Sequence, residues 1–143
     1  MSARADSATP VVLSSLCDDL IGRKLRLVGR VLCYEPTTGI AVLGDESHAI
    51  PVDVALCLHA RGGLPWLVDA RSVVTVFGYL ERLDIPFTMP DALPHHPPPK
   101  LIPNMLVQAI LVLNSPDLDM RQWNETVAQM TAMGMTSSRT TGP

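Results

Sequence analysis

Two long strand patterns, each bent at a single central glycine, constrain what this chain can fold into. The first runs from Lys24 to Tyr34 around Gly29. The second runs from Ser72 to Leu83 around Gly78. Side chains alternate along both patterns in the period of two that is typical of strands with one buried face. A glycine inside a strand costs stability and usually marks a bulge or bend where a sheet curls. Two such strands predict a small closed barrel.

The alternation assigns the side chains of each strand to two faces. In the first strand, the inward face is expected to carry Leu25, Leu27, Val31 and Cys33 beside Gly29, and the outward face Arg26, Val28, Arg30, Leu32 and Tyr34. In the second, Val74, Val76 and Leu80 share the face of Gly78, opposite Thr75, Phe77, Tyr79 and Glu81.

Turn signals and periodicity predict three more strands, at residues 40–43, 48–58 and 104–113. The last is expected to place Met105, Val107, Ala109, Leu111 and Leu113 on one face. A short helix or turn within residues 10–21 and a packed connection at residues 64–68 are expected to close the barrel ends. Five strands, a connection after the third and a terminal helix favour an all-β, five-stranded OB-fold, a Greek-key barrel. An SH3-like barrel is the alternative.

The chain of 143 residues is interpreted as one domain over residues 11–134, with disordered tails at residues 1–10 and 135–143. Residues 84–103 contain seven of the thirteen prolines. Consecutive prolines favour an extended conformation and cannot join a hydrogen-bonded ladder, so a long loop is expected there.

A helix is predicted over residues 116–133, with Ser115 as the N-cap and Pro116 in the first position. Its apolar side chains recur at spacings of three, four and three: Met120, Trp123, Val127 and Met130. Such a narrow seam packs either on its own barrel or on a partner helix. Apolar residues make up 47% of the chain and charged residues only 17%, against roughly 25% charged in typical soluble domains. This excess, and the terminal position of the helix, favour a partner.

A possible nucleic-acid surface lies on the outward faces of the two glycine-bent strands: Arg26, Arg30, Tyr34, Phe77 and Tyr79. Stacking of bases on aromatic rings, with basic side chains along the phosphates, is how OB-folds hold single strands. The alternative is that a partner or the proline-rich loop covers this face. Because the net charge is −3, DNA binding by the chain alone is expected to be weak.

No enzymatic, metal or cofactor function is predicted. Two histidines, His95 and His96, are adjacent in the proline-rich loop and lack nearby ligands that would complete a metal site. The acidic pair before His48 is interpreted as a solvated turn. The signatures of hydrolases, phosphate-binding loops and zinc proteases are missing from the sequence.

Cysteine usage and hydropathy bear on the compartment. Three cysteines without a C-x-x-C pair indicate reduced thiols in the cytosol or nucleus. The first ten residues contain no apolar signal segment, and the longest apolar run is too short to span a bilayer, so no membrane association is expected.

Two segments carry a resemblance to known proteins. Leu20 to Val31, LIGRKLRLVGRV, resembles the first strand of single-OB telomere and replication subunits, and Val74 to Leu80, VTVFGYL, resembles their fourth. The chain is similar to the Ten-one family, the smallest subunit of the telomere-capping CST complex, and to the smallest subunit of replication protein A. Its proline-rich insertion departs from the compact members of both families.

This resemblance implies a subunit that heterodimerises with an Stn-type OB-fold protein, alongside a larger third subunit. It also implies action in the nucleus at chromosome ends, in telomere protection and replication, with single-stranded telomeric DNA bound mainly through the complex. One alternative is the corresponding subunit of a replication protein A-like complex. Another is a stand-alone interaction module whose proline loop is recognised by SH3- or WW-type domains.

Overall fold

A curled sheet that closes on itself organises residues 7–57, 73–88 and 99–133, which the computed structural model describes. Its strands are β1 (Thr9–Pro10), β2 (Lys24–Glu35), β3 (Ile40–Gly44), β4 (His48–Asp53), β5 (Val73–Arg82), β6 (Lys100–Leu101) and β7 (Met105–Asn114). Helix α1 (Met120–Ala132) follows β7. Residues 10–21 contain two short 3₁₀ turns, at Leu13–Ser15 and Asp18–Leu20. The segment predicted as a short helix or turn therefore consists of turns and contains no α-helix.

Five long strands form the barrel in the order β2-β3-β4-β7-β5, and β5 pairs back onto β2 to close it. The junction between β4 and β7 is parallel, whereas the other barrel pairs are antiparallel. This is the arrangement of a five-stranded Greek-key barrel, so the predicted OB-fold is confirmed. The short strands β1 and β6 are additions that pair in parallel with β2 and β4.

The central glycines are required by close approaches within the sheet. A Cβ at Gly78 would meet backbone of β7, the carbonyl oxygen of Gln108 and the Cα of Ala109, the latter at 2.9 Å. At Gly29 a Cβ would come within 2.9 Å of the Leu43 Cγ. A side chain at either position therefore forces a neighbour to move, as expected where strands bend into a barrel.

The barrel interior is a continuous apolar core contributed by all five long strands. Its largest fully buried side chains include Leu25, Leu27, Leu43, Ile50 and Leu80. A second, smaller cluster lies outside the barrel and contains Leu32, Val42 and Ala49, with Cys33, Phe87 and Leu101 packed against it. Residues at both ends of the proline-rich segment thus pack on the barrel.

A β-bulge in β2 changes which side chains face inward. Val31 pairs with Leu43 and Cys33 pairs with Val42, so Leu32 is an extra residue without a partner of its own. Because one extra residue reverses the alternation, Cys33 faces the outer cluster and Tyr34 packs against the main core. The predicted positions of Cys33, inward, and Tyr34, outward, are therefore wrong.

A second bulge reverses the alternation in β7 in the same way. Phe77 pairs with Leu111 and Gly78 pairs with Ala109, which leaves Ile110 as the extra residue. Beyond it Val112 joins the core, whereas Leu111 and Leu113 face outward and are exposed. The prediction that Leu111 and Leu113 share the face of Met105, Val107 and Ala109 is wrong for this reason.

The helix begins four residues later than the sequence predicts. Asp119 is the N-cap, and its side chain accepts a hydrogen bond of 3.1 Å from the backbone N–H of Gln122. Ser115 is engaged elsewhere, because its hydroxyl lies 3.0 Å from the hydroxyl of Thr75. The predicted N-cap at Ser115 is therefore wrong, and Asp119 with Gln122 has the residue types of a capping box.

Some predicted element ends differ from the observed ones, and some predicted features lie outside the described residues. The third predicted strand ends at Asp53, and Thr9 and Pro10 of the predicted N-terminal tail form β1. The connection at residues 64–68, the histidines His95 and His96, and the C-terminal tail lie outside the described residues. No helix within the described ranges is long and apolar enough to cross a membrane.

Candidate interaction surfaces

The outward face of strands β2, β5 and β7 is formed by three cross-strand rows. Strand pairing places Arg26 beside Phe77 and Phe77 beside Leu111. On one side of this row Val28, Thr75 and Leu113 are neighbours, and on the other side Lys24, Tyr79 and Gln108. Paired residues on one face lie close enough to interact directly. Apolar, aromatic and basic side chains therefore form one continuous surface.

An apolar strip lies along β7 on this face and consists of Ile110, Leu111 and Leu113. Their side chains are 44%, 44% and 46% exposed. Nearly half-exposed large apolar residues in a row mark surfaces that bind proteins more often than ordinary solvated sheet. An unbroken alternation along residues 104–113 does not predict this strip, because the bulge at Ile110 breaks that alternation. In the structure, Gly78 lies opposite the bulge and its close approach to β7 accompanies it.

The structure brings together three of the five predicted nucleic-acid residues. The guanidinium carbon of Arg26 lies 5.8 Å from the centre of the Phe77 ring, a cation–π distance, and Tyr79 is exposed in the next row. The Nε atom of Arg26 is buried without a hydrogen-bond partner among the described residues. We call Arg26, Phe77 and Tyr79 the basic-aromatic patch.

The other two predicted residues are separated from this patch. Arg30 shares the outward face but lies four residues along β2, about 13 Å from Arg26 at the rise of a strand. Tyr34 packs against the main core because of the bulge at Leu32.

The seam of α1 faces the barrel more than solvent. Val127 is only 3% exposed, Met120, Trp123 and Met130 are half-buried, and the helix packs against β2. Val28 points outward from β2 yet is only 2% exposed, which requires cover from outside the sheet. The expectation that the whole seam is open to a partner is therefore wrong for Val127, whereas Met120, Trp123 and Met130 retain partial exposure.

A groove separates the start of α1 from the turn between β3 and β4. The cavity is about 780 Å³, and its floor includes Leu32 and Gly44. Asp45 shapes the turn: its Oδ1 accepts hydrogen bonds of 2.8 Å from the backbone N–H groups of Ser47 and His48. Charged side chains from both elements form the rim, together with Arg30 of β2.

Three side chains outside these surfaces have shifted pKa values, and each shift has a local structural cause. The carboxylate of Glu35 accepts hydrogen bonds from the hydroxyl and the backbone N–H of Thr37, which lower the pKa of Glu35. Burial raises the pKa of the Cys33 and Cys57 thiols. Among the described residues, no group of three or more His, Cys, Asp or Glu side chains is placed to hold a metal ion.

Comparison with solved structures identifies the fold independently. A chain from the crystal structure of the S. pombe Stn1–Ten1 complex superposes with a TM-score of 0.61 at 18% identity, covering 92% of this chain and 98% of that one. The structure of the telomere capping protein Ten1 from S. pombe gives 0.57, again at 18% identity, covering 88% and 99%. The chain has the fold of Ten1. The resemblance expected from the sequence is confirmed at this level.

Other comparisons are less extensive. A putative aspartyl-tRNA synthetase from Leishmania major superposes with a TM-score of 0.51 at 15% identity, covering 82% of this chain but only 23% of the enzyme. No family model matches the sequence. No curated protein matches it either.

Proposed function

We propose that this chain is a non-enzymatic OB-fold subunit of a telomere-capping complex and that it acts by heterodimerising with an Stn-type OB-fold protein. The observation that carries the proposal is the likeness to the S. pombe Stn1–Ten1 structure, which extends over 92% of this chain and 98% of the matched one. The tRNA synthetase likeness, by contrast, involves less than a quarter of the enzyme.

The surface offered to the partner consists of the apolar strip and the partly exposed side of α1. Strand pairing puts Leu113 beside Thr75 and Thr75 beside Val28, on the strand against which the helix packs. The strip therefore adjoins the helix across the sheet. Large apolar side chains and methionines from two elements suit the buried centre of an interface. Met120, Trp123 and Met130 would contribute their exposed edges.

Single-stranded DNA would be held mainly by the assembled complex, with this chain contributing the basic-aromatic patch. Phe77 and Tyr79 offer rings for stacking, and Arg26 offers a charge for the phosphates. The chain's net charge of −3 makes it a weak DNA ligand by itself. A larger third subunit and a nuclear, telomeric location complete the proposal.

Purification of the tagged full-length chain from its native cells, followed by mass spectrometry, tests this proposal. An Stn-type OB-fold protein should copurify in stoichiometric amount, together with a larger subunit. Copurification of the two large subunits of replication protein A would instead favour a general replication role. Recovery of SH3- or WW-domain proteins alone would support the interaction-module alternative.

A further inference from the structure

The groove between the start of α1 and the β3–β4 turn lies beside the partner surface proposed above and shares only Met120 with it. Its volume of about 780 Å³ lies within the roughly 300–1,000 Å³ typical of ligand pockets. It is built from β2, β3, the β3–β4 turn and α1 with the residues just before it. The apolar strip lies on a different part of the sheet, along β7.

The floor of the groove is apolar. Leu32, the extra residue of the β2 bulge, is buried there next to Gly44. A Cβ at Gly44 would come within 2.7 Å of a Leu32 methyl carbon, so the absence of a side chain at Gly44 allows Leu32 to pack directly against the β3 backbone. Leu118 and Met120 form the opposite wall and are half-buried. These groups offer a site for one apolar side chain.

The rim carries a net negative charge. Its acidic residues are Asp45 and Glu46 on the barrel side and Asp119 and Glu125 on the helix side. Its basic residues are Arg30 and Arg121, so the net charge of the lining is −2.

The charged side chains of the rim do not form ion pairs with one another within the described part of the chain. Neither Asp18 nor Arg82, which form an ion pair of 2.8 Å, lines the groove. Asp45 and Asp119 each use Oδ1 to accept backbone hydrogen bonds, which holds both walls in place. Glu46 and Glu125 make no hydrogen bond or ion pair within the described part of the chain. They leave two carboxylates on opposite sides of an apolar floor.

We propose that this groove binds a short peptide segment in which a leucine-like side chain stands next to lysine or arginine. The apolar side chain would lie on Leu32 and Met120, and the basic side chains would interact with both Glu46 and Glu125. Four carboxylates against two guanidiniums disfavour a phosphate-bearing ligand at the same place, because like charges repel across a partly dehydrated site. The peptide would therefore come from a protein partner, additional to the heterodimer contact.

The test is fluorescence anisotropy on the full-length chain at low salt with a labelled peptide, Gly-Ser-Leu-Arg-Lys-Leu-Gly-Ser. Two control peptides replace either Arg-Lys by Glu-Glu or both leucines by serine. The first peptide should bind about tenfold tighter than each control, and its affinity should fall as salt is raised. Equal binding of the three peptides overturns the proposal.

Charge reversal locates the binding. Glu46→Lys and Glu125→Lys should each weaken the first peptide about tenfold, whereas Glu81→Lys, an exposed reversal on β5, should change it less than about twofold. Circular dichroism establishes whether each variant is folded. If Glu46→Lys, in the turn, does not fold, Glu125→Lys, on the exposed side of the helix, is sufficient for the test. Unchanged affinity in Glu125→Lys overturns the proposal. So does binding of labelled oligothymidylate that Arg121→Ala abolishes while the peptide fails to bind.

Discussion

The two β-bulges make the same change in strand geometry and leave their surroundings in opposite states. In β2 the extra residue Leu32 sends Cys33 outward, where Cys33, Phe87 and Leu101 all pack against the outer cluster. In β7 the extra residue Ile110 sends Leu111 and Leu113 outward, and both remain exposed. A bulge therefore does not by itself expose apolar side chains. What differs is whether the chain supplies a cover, and along the described part of β7 it does not.

The largest expected effect concerns the site opposite the β7 bulge. Gly78→Ala should destabilise the chain by about 3 kcal/mol, because the new methyl group meets backbone of β7 that cannot rotate away. Gly29→Ala should cost less, about 1 kcal/mol, because its closest contact is the Leu43 side chain. Urea unfolding of both variants measures the difference. Equal costs would show that β7 shifts freely and that the bulge is not fixed.

The next comparison is between a side chain that a bulge turns inward, Tyr34, and one that a bulge turns outward, Leu111. Tyr34→Ala should lower the free energy of unfolding by about 2 kcal/mol, since the ring packs against the main core. Leu111→Ala should lower it by less than about 1 kcal/mol, since the side chain is nearly half-exposed. Thermal unfolding of the free chain checks both values. A larger loss for Leu111 would mean that the strip is part of the stable core.

A smaller effect is expected for DNA. Arg26→Ala should weaken binding of single-stranded DNA by the assembled complex by about 1 kcal/mol. The dependence of log K on log salt concentration should become less steep, by the amount expected for the loss of about one phosphate contact. Arg30→Ala serves as a control, because Arg30 lies in the acidic groove and not in the basic-aromatic patch. If both variants weaken DNA binding to the same extent, DNA contacts both regions. If neither matters, the partner covers this face.

The smallest effect is a difference in thiol reactivity. Burial, with a lesser contribution from the Glu35 carboxylate, raises the pKa of Cys33. A raised pKa leaves less thiolate at pH 8, so Cys33 should react with a thiol reagent more slowly than Cys17, which is exposed. Cys17→Ser should remove the fast phase of the reaction. A fast phase that persists would show that the outer cluster around the β2 bulge opens readily.

The barrel could be predicted from sequence because its defining features are local. Two alternating strands bent at Gly29 and Gly78, followed by shorter strands, leave few topologies in which every apolar face is covered. Arg26, Phe77 and Tyr79 were also placed correctly on one face, since they precede the bulges or lie on the unbulged strand.

Bulges could not be predicted in the same way. Leu32 and Ile110 lie in runs where neighbours on both sides are apolar, so an extra residue leaves no mark on the pattern. The helix start was missed for a related reason. Ser115 and Asp119 are both good N-cap residues, and the choice between them is made by the hydrogen bond between Ser115 and Thr75, 40 residues apart.

Titration of the chain with the Stn-type OB-fold protein of its own cells tests the central claim, that the apolar strip on β7 is a partner surface. The double variant Leu111→Ser with Leu113→Ser should remain folded and bind about 30-fold more weakly than the wild type, or about 2 kcal/mol. Ile85→Ser, which changes an exposed apolar side chain outside the strip, should bind like the wild type. Equal affinity of the wild type and a folded double variant would contradict the account.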